Sequence, residues 1–169
     1  MILYHGSNVE IEEIDLRRGR RGKDFGQGFY LSSDPGQAQM MAERTVDREE
    51  MGEAILTRFE FDDSILHKSS DVNVKVFEGY SKEWAEFIMM NRMNKTKEQA
   101  HDFDIVYGPI ANDKVGLQIS RYQLRYIPMD ELIRQVSFIR PTFQYFFGTE
   151  RAVALLKKVR GNESARGTK

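Results

Sequence analysis

Cysteine is absent from the 169 residues, and histidine occurs only at His5, His67 and His101. That removes a thiolate nucleophile, a disulfide framework and cysteine-ligated zinc together, and leaves too few imidazoles for a histidine-rich metal site. The chemistry that remains is the holding of a ligand by hydrogen bonds, ring stacking and charge. Three polar side chains stand out for it, because each ends or interrupts an apolar, aromatic run: His5 after Ile2-Leu3-Tyr4, Tyr30 after Gly26-Gln27-Gly28-Phe29, and Gln144 between Phe143 and Tyr145. Singly, each has a structural explanation. A strand-end histidine is often a satisfied structural group, a strand tyrosine is ordinary core or rim, and Gln144 could lie on a solvent face.

A second group carries charge. Between Val9 and about Phe25 the chain places Arg17, Arg18, Gly19, Arg20, Arg21, Gly22 and Lys23, a density of positive charge and glycine that predicts a mobile loop. Two readings stay open: a solvated surface loop, or a contact to phosphate or nucleic acid through Arg18, Arg20 and Arg21. Lys and Arg total 25 against 26 for Asp and Glu, so any such contact is a local patch and not the whole surface.

The elements that must position these residues follow from pattern. Ile2-Leu3-Tyr4 is a short strand that stops at Gly6 and delivers His5 and Ser7 to its end. Two glycines lead into the aromatic strand at Tyr30. Asp34 then N-caps a helix to about Asp47, with Pro35 at its first position, Gln37 placed for a capping box, and Ala38, Met41 and Ala42 buried. Alternation through Ile55, Thr57, Phe59 and Phe61 predicts a half-wet strand, and Val72, Val74 and Val76 another. Ser81 caps a helix that turns Trp84, Phe87, Ile88 and Met90 or Met93 to the core. Asp104 to Tyr107 is a buried strand broken by Gly108-Pro109. Asn112 or Asp113 starts a helix through Leu117, Ile119 and Leu124, and a further helix runs from Met129 to about Phe138. Thr142 to Phe147 is an aromatic strand, and Thr149-Glu150 leads into an amphipathic helix bearing Val153, Leu155, Leu156 and Val159. The order is that of one α+β domain over residues 1–160, with 161–169 a disordered tail. No charged leader with an apolar run opens the chain, and no stretch would span a bilayer, so the expected place is the cytoplasm, with no membrane partner.

Taken together, Tyr4-His5-Gly6-Ser7, Gly26-Gln27-Gly28-Phe29-Tyr30 and Gln144-Tyr145-Phe146-Phe147 resemble the NAD-binding signature of ADP-ribosyltransferases of the diphtheria-toxin and poly(ADP-ribose) polymerase type. More narrowly, the segments Asp24 to Tyr30, Asp104 to Val115 and Thr149 to Ala152 are similar to those of bacterial ADP-ribosyltransferase-like domains. The resemblance extends to about Val159. It implies two small antiparallel sheets forming a split β-sandwich, flanked by helices, with NAD in the cleft as co-substrate and no metal. It also implies roles. His5, Gly6 and Ser7 would hold the ribose and the nicotinamide amide. Phe25, Gly26, Gly28 and Phe29 would shape the cleft, and Tyr30 would stack on nicotinamide. Gln144 would stand where the family places a catalytic Glu.

Glutamine cannot offer the full charge of a carboxylate to a developing cation. In the family that the chain resembles, loss of the Glu goes with transfer of single ADP-ribose units or with inactivity, which implies single transfer and not chains. Glu150 could substitute, although its place at a helix start also suits the helix dipole. Asp113 is either a cap residue or a rim contact that helps choose the acceptor. In such families the gene often lies beside a small partner, which implies a bacterial toxin with an antitoxin protein, or a phage-defence module, acting on a protein or nucleic-acid acceptor. The alternatives are a non-catalytic NAD- or nucleic-acid-binding domain of the same fold, and an NAD glycohydrolase.

Overall fold

The structure, a computed structural model, describes residues 1–68 and 71–160. The tail expected at 161–169 lies outside the described residues. The strands are β1 (Ile2–Ser7), β2 (Phe29–Leu31), β3 (Ile55–Glu60), β4 (Val74–Val76), β5 (Ile105–Ile110), β6 (Thr142–Phe147) and β7 (Lys157–Lys158). The helices are α1 (Pro35–Glu49), α2 (Ile65–Lys68), α3 (Lys82–Met93), α4 (Asp113–Gln123), α5 (Met129–Val136) and α6 (Glu150–Val153).

The chain is α+β, with two small sheets. One has the order β1-β3-β7 and the other β2-β6-β5-β4. The first sheet is antiparallel throughout, but the expectation of two antiparallel sheets needs correction: β4 runs parallel to β5. Helix α3 lies between them in the chain, and a helical crossover returns the chain to its starting end, so the next strand runs the same way.

Period-two alternation along the second sheet separates two cores. Tyr30, Val106 and Phe146 join Trp84, Ile88, Val115 and Leu132 under α3, α4 and α5. Phe29, Leu31, Ile105, Tyr145 and Phe147 face the other way and meet Leu3, Phe59 and Phe61 of the first sheet and the segment after it. The sheets are joined where Tyr4 and Ser32 exchange two backbone hydrogen bonds, of 2.8 and 2.9 Å. This bridge sets His5 beside Tyr30.

Several local expectations hold. Asp34 Oδ1 accepts from Gly36 N–H at 2.8 Å with Pro35 next in line, and Ser81 and Asn112 each cap a helix through the side chain. Others need correction. Gln37 does not close a capping box: its side chain takes the Ser32 hydroxyl, and Asp34 N–H donates to Ser32 Oγ instead. The first strand does not stop before Gly6 but runs to Ser7 in register with β3. Nor does Gly108-Pro109 break β5. Beyond Tyr107 no strand among the described residues pairs with β5 on its β4 side, and the Pro109 carbonyl on that side accepts from Trp84 Nε1 at 2.7 Å. The missing proline N–H shares that side and costs no ladder bond.

Met90 and Met93 are exposed. The buried stripe of α3 runs through Trp84, Phe87, Ile88 and Asn91, at helical spacing that excludes them. Leu117 and Leu124 are likewise exposed while Ile119 is buried. The last helix is a single turn, because the chain must cross from the second sheet to the edge of the first, where Lys158 pairs with Phe59.

Candidate functional site

His5 and Leu3 lie on the face of β1 turned toward the second sheet, and Gly6 on the face turned to α1. The His5 ring stacks on Phe29 with centroids 4.3 Å apart. Its Nδ1 donates to the Tyr30 carbonyl at 2.8 Å, which leaves Nε2 as an acceptor in the neutral ring. Burial lowers the His5 pKa from 6.5 to about 4; the Tyr30 carbonyl opposes that shift, and the Lys23 ammonium adds to it. At neutral pH the imidazole is uncharged. Gly6 is required by contact, since a Cβ there would stand 1.8 Å from the Ala38 carbonyl oxygen of α1.

Tyr30 is held through its hydroxyl, which donates to the Gly26 carbonyl at 2.7 Å and accepts from Phe25 N–H at 3.0 Å. Burial pushes the phenol well above its ordinary pKa, so it stays protonated. Its ring meets Phe146 edge to face, and the Lys23 Nζ sits 4.0 Å from its centroid. The surface expected to stack on a ligand is thus occupied by a cation of the chain itself. Gln144, opposite Gly108 in the β5–β6 ladder, is buried, and among the described residues no side-chain hydrogen bond engages its amide.

The arginine-rich loop is tied down at several points, while Arg17, Arg18, Arg20 and Arg21 themselves are exposed. Asp15 caps a short 3-10 turn at Leu16–Arg18, and the Gln27 amide donates to the Arg17 and Gly19 carbonyls at 3.0 and 2.7 Å. Asp24 accepts from Arg92 Nε at 2.6 Å and from Ala111 N–H at 2.7 Å, and His101 Nε2 donates to the Phe25 carbonyl at 2.7 Å. Gly19 lets two backbone segments cross, for a Cβ there would come within 2.7 Å of the Gly28 carbonyl, while a Cβ on Gly28 would meet the Phe146 ring and the Phe147 carbonyl oxygen.

These pieces enclose a cavity of about 500 Å³. Of the residues singled out in the sequence, His5, Gly6, Ser7, Gly28, Phe29, Tyr30, Gln144, Arg18 and Arg20 line it. Phe25 does not; it is fully buried against Tyr30, Phe87 and Phe146. Gly26 also stands off the cavity, at φ +100 with its carbonyl turned to the Tyr30 hydroxyl, where glycine is needed for the backbone. Arg21 is exposed away from the lining. Asp113 is the first residue of α4, with Asn112 as its cap.

Lys23, Thr45 and Arg48 also line it without having been singled out, and Met41, expected on the buried face of α1, is half-buried at this wall. Lys23 was hidden among arginines, and nothing local in the sequence tells that the end of α1 folds over the cavity. Burial lowers the Lys23 pKa from 10.5 to about 8; Asp24 opposes the shift, and Arg20 and Arg48 add to it.

The lining can accept and donate hydrogen bonds, stack rings and attract anions. Among the described residues no group of three or more His, Asp or Glu side chains could hold a metal ion, and no helix is long and apolar enough to cross a membrane. No curated protein matches the chain. Residues 1–158 match the family described as a protein of unknown function, DUF3990, and the chain belongs to that family.

Proposed function

We propose that the chain is an NAD-dependent mono-ADP-ribosyltransferase, with the two sheets as the split sandwich of that fold, modifying a macromolecule in the bacterial cytoplasm as the toxin of a toxin–antitoxin or phage-defence pair. One observation carries the reading. His5-Gly6-Ser7, Gly28-Phe29-Tyr30 and Gln144 are far apart in the chain, and they converge on one cavity.

The chemistry suits those groups. Breaking the bond between nicotinamide and ribose C1′ sends the electron pair out with an already cationic leaving group, so no acid is needed. The acceptor's nucleophile forms the new bond to C1′ and gives up its proton. What remains for the protein is positioning, and stabilisation of positive charge on the ribose. The neutral His5, with Nε2 as an acceptor, is suited to a ribose hydroxyl, and the unengaged Gln144 amide to a second one. Arg18, exposed beside the cavity, is suited to the acceptor.

A second reading, NAD binding without transfer, draws support from the uncharged Gln144 and from Lys23 lying over the ring of Tyr30. Hydrolysis with water as acceptor is a third. Labelled NAD incubated with the protein and a lysate of its host, resolved into protein and nucleic-acid fractions, separates them. Transfer puts label in one fraction, and Tyr30→Ala and Gln144→Ala abolish it. Free nicotinamide without labelled macromolecule means hydrolysis, and binding without turnover means the non-catalytic domain.

A further inference from the structure

Lys23 is a half-buried side chain in the cavity wall, and among the described residues no carboxylate forms an ion pair with it. Its contact is the face of the Tyr30 ring, 4.0 Å from Nζ to centroid. The neighbouring Asp24 attracts Lys23 but forms no ion pair with it; its two oxygens accept from Arg92 and from the Ala111 N–H at 2.6 and 2.7 Å. Arg20 and Arg48 line the same cavity. Arg48 meets Glu49 through Nε at 2.9 Å in an exposed pair, while no ion pair among the described residues engages Arg20. The carboxylates on the same lining are Glu13, Asp15 and Glu49. Asp15 pairs with Arg17 and Glu49 with Arg48, and among the described residues neither Lys23 nor Arg20 is in an ion pair. Cations drawn partly out of water are normally matched by a counter-charge, so this part of the wall is suited to an anion that arrives.

We propose that Lys23, with Arg20 and Arg48, forms an anion subsite that takes the diphosphate of a dinucleotide, and that on binding the Lys23 ammonium leaves the Tyr30 ring. Lysine and arginine are the side chains suited to phosphate oxygens, and a cavity of about 500 Å³ is of the size that holds cofactor-sized ligands. The movement has a use: the same step that seats the diphosphate uncovers the aromatic face for a stacking ring. The dinucleotide in this proposal rests on the NAD reading above, whereas the anion subsite rests on the charges alone.

Calorimetric titration of wild type, Lys23→Met and Arg48→Gln with NAD and with ADP tests it. Met keeps the length and the cover over Tyr30 while losing the charge, and a thermal melt checks that each variant is folded. Arg48, paired only at the surface, provides the second test should Lys23→Met fail to fold. The expected result is that both ligands bind wild type, more weakly as salt is raised, and that each variant loses roughly ten- to hundred-fold in affinity for both. Should ADP bind in this lysine-dependent way and NAD not bind, the anion subsite stands and the NAD reading falls. Should NAD bind wild type and both variants alike, the subsite is overturned and the NAD reading is untouched. If wild type binds neither ligand, the subsite is overturned.

Discussion

Tyr30→Phe removes one oxygen atom and nothing else, and the structure says what that atom does. The hydroxyl joins Phe25 N–H at 3.0 Å and the Gly26 carbonyl at 2.7 Å, both on buried residues of the loop that ends the arginine-rich segment. Phenylalanine keeps the edge-to-face packing on Phe146 and leaves both backbone groups without that partner. A buried donor or acceptor left unpaired costs about 1 to 3 kcal/mol. Water entering beside Gly26 would recover part of it, so the expected loss for the pair is about 2 to 4 kcal/mol. Urea unfolding should show a lower midpoint with an unchanged slope. Amide exchange should show the Phe25 N–H losing protection while the strand amides of Phe146 and Val106 keep theirs relative to the global stability. A variant within about 0.5 kcal/mol of wild type, with Phe25 still protected, would refute the hydroxyl as the clamp of this loop. Tyr30→Ala cannot make this distinction, since it also empties part of the core.

Gly6→Ala should destabilise by about 3 kcal/mol, because its Cβ would lie 1.8 Å from the Ala38 carbonyl oxygen and α1 would have to move off β1. Gly79→Ala, with nothing within 4 Å of the added Cβ, should leave the urea midpoint near wild type, and similar losses at both positions would refute the contact. His5 makes stability depend on pH. Its folded pKa of about 4 lies below the unfolded 6.5, so between them the unfolded chain binds the extra proton and stability falls as pH falls. With the ring partly open to the cavity, wild type should lose about 2 kcal/mol more than His5→Asn between pH 6.5 and 4. Parallel unfolding curves for the two across that range would show that His5 titrates normally.

What the sequence made legible was local. Ser81, Asn112 and Asp34 could be read as caps because a cap is a side chain bonding its own next turn. Thr142 to Phe147 could be read as a strand from composition alone. What stayed hidden depends on partners distant in the chain. Pro109 looks like a strand breaker until β4 is known to end opposite Tyr107, which frees that edge. Leu155 and Leu156 look like the continuation of a helix until the chain's need to reach β3 is known. Met90 and Met93 look as apolar as the core, but the stripe of α3 is set by Trp84 and Ile88 and passes them by.

The same division runs through the candidate site. His5, Tyr30 and Gln144 each stood out by interrupting an aromatic run, and they share a cavity because the Tyr4–Ser32 bridge holds the two sheets together at their side. Phe25 and Gly26 belong to the same motif as Tyr30, yet they serve its hydroxyl and the core beneath it, not the cavity. A motif can therefore mix residues that meet a ligand with residues that only hold those in place, and sequence spacing does not sort them. Lys23 shows the converse. It sits in a run of exposed arginines and differs from them only because the chain turns inward at Asp24, a turn fixed by Arg92 and by the backbone at Ala111. The place of this charge is thus set by contacts that its neighbour Asp24 makes 68 and 87 residues away in the chain, which is why neither composition nor local pattern could single it out.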